Sequence, residues 1–114
     1  MGSLARKDVR RRFHRIDWPR FAGALNGVSG RTRDWSWGGF AFDCDGSEPL
    51  TLERDDVVTG CLSLSPKREP CRITGRIVRV DPEERVVAVA FESLNEELLE
   101  LFERALRESV PRTR

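Results

Sequence analysis

The chain has 114 residues, 39% hydrophobic and 34% charged, with a formal net charge of +1. That length and composition fit one domain with its own core, and the near-neutral balance argues against a bulk affinity for nucleic acid or membrane. No apolar run approaches the roughly eighteen residues of a membrane span, and the charged first twenty residues contain no signal-peptide core.

Residues 1–20 carry seven Lys/Arg against Asp8 and Asp17, with the densest run, "RRRFHR", at residues 10–15. "FAGAL" (21–25) places Phe21 and Leu25 on one face of a short strand. "DWSWGG" (34–39) sets an acid, a hydroxyl and two glycines around two tryptophans. "GFAFDC" (39–44) alternates, with Phe40, Phe42 and Cys44 together and Ala41 and Asp43 opposite. Asp45-Gly46 reads as a turn.

"VTGCLSL" (58–64) puts Val58, Gly60, Leu62 and Leu64 on one side. "CRITGRIVRV" (71–80) begins with Cys71, Ile73 and Ile77 inward; Val78 and Val80 then break the phase, which predicts a bulge or bend near Gly75–Val78. "DPEER" (81–85) is a hairpin turn, and "VVAVAF" (86–91) is apolar on both faces. Five or six strands at this spacing indicate a small antiparallel barrel or sandwich.

From Leu94 the apolar residues are Leu98, Leu101, Phe102 and Ala105, the stripe of an amphipathic helix that Pro111 ends. Ser93 with Glu96 fits a capping box; Asn95 fits an alternative cap, with Leu94 and Leu99 as its staple. The six glutamates over residues 92–108 make this end acidic.

Catalytic and metal chemistry find little support. Cys44, Cys61 and Cys71 are odd in number and lack CxxC spacing, so they suit core or strand positions in a reducing cytoplasm rather than disulfides or zinc. His14, the one histidine, lies inside the basic run. Asp34 stands where a nucleophile elbow around Ser36 needs glycine. "DCDGSE" (43–48) places Gly46 two positions early for a calcium loop. There is no phosphate-binding glycine loop. No enzyme, metal or cofactor is expected.

Two stretches carry binding chemistry. Arg11 and Arg15, with Arg10 and Arg12 alongside, offer guanidinium groups that fork onto phosphates, donate to guanine O6 and N7, or stack on a base. Taken alone, such a cluster reads as a solvated basic segment. Asp34 matches the paired N1–H and N2–H donors of guanine. Ser36 shares its face on an extended chain, and Gly39 removes a Cβ where a strand or ligand must approach. The plain alternative is a turn in which Asp34 and Ser36 bond their own backbone.

Together, R-x-x-x-R (Arg11, Arg15), D-x-S-x-x-G about twenty residues later (Asp34, Ser36, Gly39), strands and a final helix resemble the PilZ family of bacterial cyclic di-GMP receptors, over roughly residues 8–107. The resemblance implies a mainly β fold, a six-stranded antiparallel barrel with a C-terminal helix. It divides the chain into an arm (1–16) and a barrel with its helix (17–110). It implies ligand contacts from Arg11, Arg15, Asp34, Ser36 and Gly39, with Arg10 and Arg12 secondary. Arg10 just before the first motif arginine accompanies two ligands per chain in the family. Trp35 and Trp37 stand where the family more often has smaller aliphatics, and packing against the helix is the reading taken here.

A cytoplasmic receptor without catalysis is thus expected, acting in trans on an unidentified protein partner in motility, exopolysaccharide or a related output. The alternatives are a PilZ-like adaptor with weak or no nucleotide binding and a small barrel for single-stranded nucleic acid. The absence of tyrosine and the concentration of basic residues in the arm rank the last of these lowest.

Overall fold

The computed structural model describes residues 15–65 and 69–109. Its strands are β1 (Ala22–Leu25), β2 (Val28–Ser36), β3 (Gly39–Cys44), β4 (Val57–Ser63), β5 (Cys71–Asp81) and β6 (Val86–Phe91), followed by helix α1 (Glu96–Ser109). All pairings are antiparallel, and the order β1-β2-β3-β6-β5-β4 closes on itself through β1 and β4. The choice between barrel and sandwich therefore resolves to the six-stranded barrel with a C-terminal helix. Closure leaves no free sheet edge.

Alternation explains most of the interior. Phe40, Phe42, Val58, Leu62, Ile73, Ile77, Val87 and Val89 all lie in the core. The expected break in β5 falls between Ile77 and Arg79, where the register with β6 shifts, and it leaves Val78 exposed.

Alternation marks no strand over residues 28–36. The inward residues of β2 are Gly30, Thr32 and Trp35, and a bulge between Thr32 and Asp34 shifts the phase. Small or polar inward side chains erase the apolar period. The usable signal was Asn26-Gly27: φ of 48° and 88° make the two-residue turn that sets Leu25 opposite Val28.

Helix α1 closes one mouth of the barrel. Leu98, Leu101, Phe102 and Ala105 are buried, while Leu94 lies outside, before the helix. Phe102 meets Trp35 in a stack with centroids 4.8 Å apart, and it also contacts Trp37 at 5.3 Å, Phe91 at 5.6 Å and Phe21 at 5.7 Å. Both tryptophans thus pack against the helix. Asn95 is the cap: its Oδ1 accepts from the Leu98 N–H at 2.8 Å. The Ser93 capping box is not the register used. Leu94 and Leu99, the proposed staple, remain 40% and 36% exposed.

Phe102→Ala should remove the central plug and cost about 3–5 kcal/mol. Leu99→Ala, on the exposed side, should stay within about 0.5 kcal/mol. Urea unfolding followed by tryptophan fluorescence measures both; equal losses would show that the helix is not held through Phe102.

Candidate ligand-binding site

The site is built from Trp35 outward. Its indole is buried against Phe102 and Phe21, and its Nε1 donates to the Pro19 carbonyl at 2.9 Å. With Trp35 inside, Asp34 before it is half-buried on the outer side, while Ser36 after it is buried in the β2–β3 turn at 3% exposure. The Trp35 backbone exchanges both hydrogen bonds with Ile16, at 2.8 and 2.9 Å. That pair places Arg15 directly against Asp34.

Arg15 Nη2 lies 2.9 Å from Asp34 Oδ1. The contact is an ion pair off the line of a hydrogen bond, and no donor among the described residues is aligned with that buried oxygen. Arg15 also borders a cavity of about 400 Å³, which Asp34 itself does not line. Arg15, Ser36 and Gly39 border it, and Val78, Ala88 and Ala90 give it an apolar wall. Residues of both motifs therefore converge on one hollow of the outer barrel surface. Arg10, Arg11 and Arg12 lie outside the described residues, so this convergence is carried by Arg15 alone on the arginine side.

Ser36 and Gly39 also have structural duties. The Ser36 hydroxyl accepts from the Gly38 N–H at 3.2 Å and donates to the Gly39 carbonyl at 3.4 Å, which closes the β2–β3 turn. This is the backbone-bonding role considered for Ser36; Asp34 does not share it. At Gly39 an added Cβ would overlap the Val89 carbonyl oxygen. The close neighbour there is strand β6.

A second Arg–Asp cluster was not foreseen. Asp43 accepts from Arg20 Nη2 at 2.9 Å and from Arg33 Nη2 and Nε at 2.8 and 3.1 Å. Hydrogen bonding to Asp43, then its charge, raises the Arg33 guanidinium pKa above its ordinary value. Arg20 Nε also donates to the Thr32 carbonyl at 2.7 Å, and the Thr32 hydroxyl accepts from the Phe21 N–H at 2.8 Å. These contacts hold residues 16–21 along β2. Of these residues the sequence placed only Asp43 in a strand, and local pattern does not pair it with Arg20 or Arg33.

The thiols play no visible part here. Burial pushes the Cys44 and Cys71 thiols up, which keeps them protonated at neutral pH. Among the described residues no His, Cys, Asp and Glu group could hold a metal ion, and no helix is long and apolar enough to cross a membrane.

A model of the PilZ domain matches residues 9–108. The chain belongs to the PilZ family. A solved structure of the Bacillus subtilis inhibitor of motility (MotI/DgrA) superposes with a TM-score of 0.66 at 14% identity, over 87% of this chain and 50% of that one. This chain thus spans half the length of that neighbour, and the likeness is one of fold. A search of curated proteins gave no match. PilZ domains bind and adapt rather than catalyse, and cyclic di-GMP is the ligand associated with the family.

Gly39→Ala should force β3 from β6 and cost about 1–3 kcal/mol, and Ser36→Ala should cost about 1 kcal/mol through the lost turn bonds. Thermal unfolding reads both. A neutral Gly39→Ala would mean that the strands separate there without penalty.

Proposed function

We propose that this PilZ protein is a cyclic di-GMP receptor that passes the level of the nucleotide to a protein partner without catalysis. The observation that carries the reading is that Arg15 of one motif pairs with Asp34 of the other and also borders the hollow lined by Ser36 and Gly39. The output would be motility, exopolysaccharide synthesis or a related process in the cytoplasm.

Ligand entry is an exchange of partners. The Arg15 and Asp34 side chains are 49% and 26% exposed, so their ion pair is worth about 0–1 kcal/mol and opens readily. Guanine N1–H and N2–H then offer a side-by-side donor pair to the two oxygens of the Asp34 carboxylate. Arg15, released, turns to a phosphate or to the O6/N7 edge. The wall of Val78, Ala88 and Ala90 supplies an apolar surface for the base. Arg11, Arg10 and Arg12 add further cations from the arm, and Arg10 favours two nucleotides per chain.

One observation favours the adaptor reading instead. Ser36 is already engaged in closing its turn and Asp34 in pairing with Arg15, so both side chains have uses without a ligand.

Calorimetric titration separates the readings. Wild type should bind cyclic di-GMP more tightly than cyclic di-AMP and should not bind an oligonucleotide. Heat with none of these leaves the adaptor. Asp34→Ala should weaken cyclic di-GMP by about 1–3 kcal/mol and narrow its advantage, since adenine offers no such donor pair. Arg11→Ala and Arg15→Ala should weaken both nucleotides, keep more of the guanine preference and flatten the salt dependence. Each 1.4 kcal/mol is roughly tenfold in affinity. An unchanged guanine preference in Asp34→Ala would remove Asp34 from the site. Arg10→Leu should move a wild-type ratio of two toward one.

A further inference from the structure

The most exposed large apolar side chain among the described residues is Trp18, at 64%. It projects from a fixed backbone: Ile16 is paired with Trp35, and the Pro19 carbonyl is held by the Trp35 indole. The strand register places a hollow beside it. Arg31 of β2 lies opposite Ala22 of β1, which lies opposite Ser63 of β4. The small Ala22 side chain leaves a cavity of about 350 Å³ between Trp18, Arg31 and Leu64, with Arg20 on its rim.

The charged side chains that line this hollow are Arg20 and Arg31. Among the described residues no acidic side chain lines it. Arg20 is partly neutralised by Asp43, whereas Arg31 has no ionic partner among the described residues. A solvent-exposed tryptophan beside arginines and an apolar recess has the composition of an interface hot spot, and the backbone held on either side of it lowers the ordering cost of binding.

We propose that this face of β1, β2 and β4 docks a protein partner through an acidic segment that inserts one bulky apolar side chain beside Trp18 and sets a carboxylate on Arg31. The occupant follows from charge complementarity and size. A single-stranded nucleic acid needs a succession of stacking aromatics along a basic groove; here one exposed tryptophan stands beside one recess. The proposal rests on the reading that the chain acts through a protein partner, and it is independent of nucleotide binding.

The test is selection from a random peptide library displayed on phage. The full-length protein is the target, without nucleotide, and the Trp18→Ala/Arg31→Glu double variant is the counter-target. Enriched peptides should place Asp or Glu beside Leu, Ile, Phe or Trp. Synthesised, they should shift the Trp18 indole NMR signal and bind at least tenfold more weakly to Arg31→Glu and to Trp18→Ala, each checked for folding by circular dichroism. Four results overturn the proposal: no enrichment, enriched peptides without acids, equal binding to the double variant, or displacement from Trp18 by oligo-dT. Such a result with the cyclic di-GMP titration intact removes this surface and leaves the receptor reading standing.

Discussion

Everything that matters for the site hangs on Trp35 being inside the barrel. A buried tryptophan contributes a large apolar area but needs a partner for its N–H. Phe102 and Phe21 supply the first requirement, and the Pro19 carbonyl supplies the second. The indole therefore ties three pieces together: strand β2, the terminal helix and the segment leading into β1. Its backbone adds a fourth link, the reciprocal pair with Ile16. Once those bonds exist, Arg15 has little freedom to lie elsewhere than beside Asp34. Two motifs far apart in the chain are brought together by a core residue that belongs to neither role.

The parts legible in the sequence were those with a clean period. Strand β3 and the stripe of α1 follow from alternation and from three-and-four spacing, and the break of phase in β5 located a real bulge. Strand β2 was illegible by the same logic, because Gly30 and Thr32 fill its inward positions and a bulge flips its second half. Local turn chemistry at Asn26-Gly27 would have found it. The helix start was readable only as a choice, since Ser93 and Asn95 both satisfy capping rules and only the hydrogen bond to Leu98 decides. At the site, the motif spacing picked out Asp34 and Arg15, but no local rule says that Ile16 pairs with Trp35. Ser36 and Gly39 show how a motif can have two causes. Turn closure and strand contact already account for their identity.

The two Arg–Asp clusters beside β2 make an instructive contrast. Both join a residue before β1 to the β2–β3 hairpin, and both use the same chemistry. Asp43 is saturated: two guanidinium groups donate to its two oxygens with good geometry. Displacing either would leave a carboxylate short of donors and would also loosen the Arg20 bond to the Thr32 carbonyl. Asp34 has a single cation, placed off-axis, and a buried oxygen with no aligned donor among the described residues. The Arg15 guanidinium compensates that carboxylate by charge, so an incoming donor pair would exchange the ion pair for aligned hydrogen bonds. Asp43 is therefore built to hold the chain in place, and Asp34 is the carboxylate from which a new partner has something to gain. That difference in donor supply, rather than residue type or exposure, is the physical ground on which the proposed guanine contact is assigned to Asp34.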